Sequence, residues 1–179
     1  NTAFGKSALG ASNGDSNTAV GKGALESNST GASNTAVGAS ALESNSTANN
    51  NTAVGKNALL SNTDGTINTA IGSLALNTNT TGGALTAIGY TAEYSQTTAD
   101  HNTFLGSGSG YSITTGGSNT LAGSNAGYYL TTGTNNVGFG KNALTGPSTG
   151  ATASNNVGIG FNSLIAVTTG GTNVAVGNY

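Results

Sequence analysis

The sequence predicts an all-β fold, a parallel β-solenoid of about eleven 17-residue coils. Three observations carry this: a fixed repeat period, an alternation of large and small residues inside each unit, and a glycine at one place in every unit. The phrase Asn-Thr-Ala-Val-Gly begins at Asn1, Asn17, Asn34, Asn51 and Asn68, continues in looser form at Leu85, Asn102, Asn119 and Asn136, and returns at Asn156 and Asn173. Eight of the ten intervals are 17 residues, one is 16 and one is 20. Such a period means one supersecondary unit stacked on copies of itself, each completing the core of its neighbours.

Each unit is read from its Asn, taken as offset 0. Offset 1 is Thr in the first eight units and Val137, Val157 and Val174 in the last three, while offset 3 is nearly always apolar, as in Val20, Val37, Ile71, Ile88 and Ile159. Offset 2 is Ala or Gly except at Phe104 and Leu121. Strand side chains alternate between faces, so offsets 1 to 3 form a short strand with two unequal faces. The expectation is that the branched face lies inside the coil. The small face, carried by Ala19, Ala36, Ala53, Ala70 and Ala87, is then free to pack closely against a neighbouring chain.

Offset 4 is Gly in all eleven units, as a corner with positive φ or a close backbone approach requires. A second, less regular strand is read at offsets 7 and 8, in pairs such as Ala24-Leu25, Ala41-Leu42 and Ala58-Leu59. A polar turn with hydroxyls at offsets 12 and 13 closes the unit, and the 20-residue interval holds its insertion, with Pro147, in this turn region. Helical readings fail because the apolar positions alternate, Gly interrupts every unit and β-branched residues are frequent. Coils stacked about 4.8 Å apart make a rod on the order of 50 Å long.

Composition agrees with a thin, repeated core. Glycine supplies 30 of 179 residues, only 6% are charged, and Cys, Met and Trp are absent. A net charge of −2 offers no electrostatic footprint for nucleic acid. No apolar stretch approaches the roughly 18 residues of a membrane helix. The chain starts on the repeat phrase at Asn1 and stops inside one at Tyr179, which reads as one repetitive segment, 1–179, of a longer fibrous chain.

The phrases Asn-Thr-Ala-Val-Gly, Asn156-Val157-Gly158-Ile159-Gly160 and Asn173-Val174-Ala175-Val176-Gly177 resemble the head repeats of YadA-like trimeric autotransporter adhesins, which also occur in phage tail fibres and large bacterial surface proteins. The resemblance covers essentially the whole chain. It implies a left-handed β-roll and a homotrimer at a cell surface or on a virion fibre. It also implies attachment to a host or surface receptor such as a glycan or a matrix protein, without membrane insertion of this segment. A second resemblance is to grass ice-binding proteins, whose rolls repeat an Asn-x-Val-x-Gly phrase.

Candidate binding residues are the paired hydroxyls Thr80 and Thr81, Thr97 and Thr98, Thr114 and Thr115, and Thr131 and Thr132, which would stack into a polar stripe. This stripe is either turn chemistry or a repetitive surface for a ligand, with ice the most concrete alternative. Ice recognition needs like-oriented threonines at alternating positions. These are adjacent pairs, and the Thr at offset 1 shares its face with Val or Ile, which reads as buried. The Asn column at offset 0 is read as a hydrogen-bonded ladder. The lysines at offset 5 (Lys6, Lys22, Lys56 and Lys141) read as a solvated edge. Asn28-Ser29-Thr30, Asn45-Ser46-Thr47 and Asn79-Thr80-Thr81 match the glycosylation pattern in a chain rich in those residues. His101 is the only histidine and the six acids are scattered, only Glu26 and Glu43 sharing an offset, so the sequence contains no legible catalytic, metal or cofactor constellation, and the chain reads as not an enzyme.

Overall fold

The structure, a computed structural model, describes residues 1–10 and 12–178; Ala11 and Tyr179, on which the pattern stops, lie outside them. Eleven three-residue strands run β1 Thr2–Phe4, β2 Thr18–Val20, β3 Thr35–Val37, β4 Thr52–Val54, β5 Thr69–Ile71, β6 Thr86–Ile88, β7 Thr103–Leu105, β8 Thr120–Ala122, β9 Val137–Phe139, β10 Val157–Ile159 and β11 Val174–Val176. They form one parallel sheet in sequence order, so every connection is one turn of a β-solenoid. Like offsets pair with like, Thr35 with Thr52, Ala36 with Ala53 and Val37 with Val54. The 20-residue interval keeps this register, since Val137 still pairs with Val157, and its insertion is absorbed by the turn before Ala151.

The faces of the strand are the reverse of the sequence expectation. From β2 to β10 the middle residue is buried and the flanking two are half-buried or exposed. Ala19, Ala36, Ala53, Ala70 and Ala87 are fully buried within the chain itself, packed with Leu25, Leu42, Leu59 and Leu76. These alanines therefore cannot meet a neighbouring chain. The reason is width: the leucine at offset 8 already fills a one-side-chain-deep interior, leaving room opposite only for a methyl group. At Gly138 a Cβ would stand 2.8 Å from a methyl of Leu121 and 3.2 Å from one of Leu144.

The interior keeps its volume by exchange. Where offset 2 becomes Phe104, offset 8 becomes Gly110, and a Cβ there would stand 2.5 Å from the Phe104 ring. Where it becomes Leu121, offset 8 becomes Gly127, whose Cβ would collide with Leu121. Two clusters result, an Ala/Leu core in the first half and a second core built on Phe104, Ile113, Leu121, Leu130 and Leu144.

The second segment is not a strand. Its leucines hold positive φ, 52° at Leu25 and Leu42 and 51° at Leu59, and so do offset 6 residues such as Ser40 (55°) and Asn57 (58°). Alternating the sign of φ turns the backbone groups along the stack, and the hydrogen bonds run between coils: Leu25 N–H donates to Ala41 O at 3.0 Å and Leu42 N–H to Ala58 O at 3.0 Å. A left-handed non-glycine residue costs on the order of 1–2 kcal/mol, which the buried leucine side chain and this bond offset. The offset 4 corner is as read from the sequence. Gly55 has φ 137°, and a Cβ on it would stand 2.5 Å from Gly72 O.

Candidate functional site

Two asparagine ladders run inside the rod. In the offset 0 ladder each Oδ1 accepts the N–H of the next coil, as Asn17 does from Asn34 (2.9 Å) and Asn34 from Asn51 (3.0 Å). The second, at offset 11, is the column Asn28, Asn45, Asn62 and Asn79, set among Ser and Thr residues that resemble an ordinary turn. Asn45 Nδ2 donates to Asn28 Oδ1 at 2.7 Å and Asn79 Nδ2 to Asn62 Oδ1 at 2.7 Å. In the four coils starting at Asn17, Asn34, Asn51 and Asn68 both ladders meet on one turn carbonyl, Gly31 O receiving Asn17 and Asn28 and Gly65 O receiving Asn51 and Asn62. Asn28, Asn45 and Asn79 are thus buried and spent, so the three glycosylation matches have no accessible amide in the folded rod.

Both ladders falter in the coil that starts at Leu85. Leu85 has no side-chain oxygen for the next coil, and the carboxylic acid Glu93 stands in the leucine column instead. Glu93 is fully buried; its Oε1 accepts from Asn102 Nδ2 at 2.7 Å and its Oε2 has no partner. Burial pushes this carboxyl up to about 8, against a smaller opposing effect of the Asn102 hydrogen bond. Gln96, one methylene longer than Asn, reaches Ala99 O at 2.6 Å and leaves Asn79 Oδ1 unpaired, and its own Oε1 faces a column that continues as Ile113. The sequence signal for this site was an exchange, Leu for Asn at offset 0 and Glu for Leu at offset 8.

The hydroxyl pairs divide. At offset 12 the hydroxyl serves the backbone, Thr80 donating to Thr97 O (2.9 Å) and Thr131 to Ala151 O (2.9 Å), with longer bonds from Thr97 and Thr114. At offset 13 the side chains are exposed, so Thr81, Thr98, Thr115 and Thr132 form the outward column. Asp64 stands in the same column. Hydrogen bonds from Thr47 (2.6 Å) and Thr63 hold its carboxyl below the usual carboxylate range.

The outer face of the sheet is a second regular surface. The offset 1 threonines from Thr18 to Thr120 are half-buried, not enclosed, and beside them Val37, Ile71, Ile88, Leu105, Phe139 and Ile159 are 37% to 45% exposed. No charged residue occurs at offset 1 or 3 in any unit. This face is an uncharged stripe of Thr and apolar side chains, with Val in place of Thr in β9 to β11 and Phe4 and Phe139 in the offset 3 column. At offset 5 beside it, Lys6, Lys22, Lys56 and Lys141 are exposed.

On another side, Tyr94, Tyr111 and Tyr128 at offset 9 stack in parallel, with centroids 5.2 and 4.8 Å apart and planes within 6° and 3°. Tyr129 meets Tyr128 edge-on at 4.9 Å and 78°. Partial burial, then the phenols of Tyr111 and Tyr129, push the Tyr128 hydroxyl above the ordinary tyrosine value, so these hydroxyls crowd one region. Among the described residues no group of three or more His, Cys, Asp or Glu could hold a metal, and no helix is long and apolar enough to cross a membrane. No family model matches the chain, and neither curated proteins nor solved structures give a match.

Proposed function

We propose that this chain is a structural and adhesive fibre segment, a non-catalytic rod of the kind found in YadA-like heads and phage-like fibres. Three identical copies pack side by side through the outer strand face, and the remaining surface meets a receptor outside the cell or on a virion. The observation that carries this reading is the uncharged stripe of Thr and apolar side chains. At roughly 50 Å by 10 Å it covers on the order of 500 Å² per chain, comparable with the largest surface patch of a monomer, about 300–600 Å², which is often functional. The outward column Thr81, Thr98, Thr115 and Thr132 is the receptor candidate, as hydroxyls repeated at coil spacing suit a glycan or an extended matrix chain.

Sedimentation equilibrium tests the assembly. The wild-type chain is expected at three chain masses, and Val37→Lys with Ile88→Lys at one, with unchanged circular dichroism. A wild-type chain that stays monomeric at all concentrations removes the reading.

One observation supports the ice-binding alternative at offsets 1 and 3 instead of the turn: threonines and apolar residues alternate on an outward, regular sheet face. The apolar column varies from Ala122 through Val37 and Ile88 to Phe139, which suits protein packing better than a lattice of fixed spacing. No thermal hysteresis is therefore expected. Ice shaping lost in Thr52→Leu with Thr69→Leu would reverse the order of the two readings.

A further inference from the structure

The chain has no Cys, Met or Trp, so the side chains that most often absorb oxidising equivalents are missing. Phenol becomes the group that gives up an electron most easily. Of six tyrosines, four form one contact cluster, and within it Tyr111 and Tyr128 are the closest and most nearly coplanar pair. The backbone holds this pair in register from both sides. Gly110 N–H donates to Ala126 O at 2.9 Å and Ser112 N–H to Tyr128 O at 3.1 Å. Both rings are only half-buried, so an electron can be withdrawn at their edges without unfolding.

We propose that the Tyr94–Tyr111–Tyr128–Tyr129 cluster is an oxidative modification site, where a haem peroxidase charged with hydrogen peroxide joins Tyr111 to Tyr128 as dityrosine within one chain. Each phenol loses one electron to the oxidant and one proton from its hydroxyl. The two phenoxyl radicals form one carbon–carbon bond between ring positions ortho to the oxygens, and the ring hydrogens at those carbons move back to restore the hydroxyls. The two electrons and two protons convert one hydrogen peroxide to two waters. Tyr94 and Tyr129 extend the target, since an electron vacancy formed on either ring is in contact with the central pair. The product ties two successive coils covalently where the offset 0 ladder still joins Asn119 to Asn102 but the offset 11 column has become Ile113 and Leu130. This inference rests on stacking inside one chain and is independent of self-association.

Peroxidase and hydrogen peroxide applied to the full chain test it, with dityrosine fluorescence and tandem mass spectrometry of the denatured, digested product. The expected result is a Tyr111–Tyr128 link two hydrogens lighter than the parent peptides, with a yield independent of chain concentration. Because the partners are held in contact, Tyr128→Phe is expected to lower the yield about tenfold or more. Tyr90→Phe, which removes an exposed tyrosine outside the stack, is expected to leave it unchanged. Circular dichroism checks that the variants fold, and Tyr111→Phe, which keeps the ring but takes away the phenol common to both parallel pairs, replaces Tyr128→Phe if that variant does not. Links formed only between chains, oxidation spread evenly over all tyrosines, or an undiminished yield in the folded variant would each overturn the proposal.

Discussion

Glu93 is the residue whose chemistry departs furthest from its surroundings. Its folded-state value of about 8 lies above the ordinary 4.5, so the unfolded chain releases this proton at lower pH than the rod does. The stabilisation is fully present below about 4.5, falls as pH rises and is gone above about 8, with a slope approaching 1.4 kcal/mol per pH unit between. Asn102 is the only neighbour whose side chain acts on the carboxyl; Asp100 and His101, the nearest ionisable residues in sequence besides outward Tyr94, are exposed. Thermal melting is therefore expected to drop from pH 5 to pH 8 in the wild type and to flatten in Glu93→Gln. An equal slope in both chains would assign the pH dependence elsewhere. The corner glycine gives a second residue-scale expectation: Gly55→Val combines a φ of 137° with a collision against Gly72 O, and is expected to cost roughly 3 kcal/mol or more by denaturant titration.

At the scale of one coil, the core is a volume shared between offsets 2 and 8. Phe104→Ala alone leaves a cavity and is expected to cost about 3–5 kcal/mol, while Gly110→Leu alone overpacks against the Phe104 ring. The double variant recreates the Ala and Leu pairing of earlier coils, and a double-mutant cycle is expected to show at least about 1 kcal/mol of favourable coupling. Much of the coil was legible beforehand. The Asn column, the strand at offsets 1 to 3 and the glycine corner follow from spacing and from what glycine alone permits. The facing of the strand did not follow, because the larger residues look like the core until the leucine at offset 8 is seen to fill a narrow interior. That leucine was itself read as strand, since no sequence pattern announces φ of 52° at a branched side chain such as Leu42. Asn28, Asn45, Asn62 and Asn79 stood in register, yet their surroundings of Ser and Thr read as an ordinary turn.

For the whole molecule, nearest-neighbour stacking makes stability approximately a sum over coils and their interfaces. Deleting residues 51–67 brings Asn68 N–H onto the Asn34 side chain that now receives Asn51, so register survives. The expected product is a folded rod one coil shorter with a lower melting temperature. Deleting residues 51–59 shifts every later column and is expected to abolish the cooperative transition. Removing 85–101 instead sets Asn68 against Asn102 and takes out Glu93 and Gln96 together. This deletion is expected to destabilise less than that of 51–67, and calorimetry of the three chains decides whether the Leu85 coil is the weak one.

A rod pulled from its ends carries the same tension through every coil, as links in series do. Where Asn17 grips Asn34 and Asn45 grips Asn28, two side-chain bonds resist separation of the same two coils alongside the backbone. Between Leu85 and Asn102 the offset 0 grip is missing and Gln96 has no amide in the next coil to hold, so the bond from Asn102 to the Glu93 carboxyl stands in place of both ladders. Extension under load should begin there, so the force at first yield is set by that one interface and not by the length of the fibre. Force spectroscopy of the full chain would register it as an early event releasing the coils around Leu85, shifted to higher force when Leu85→Asn and Glu93→Leu restore the columns.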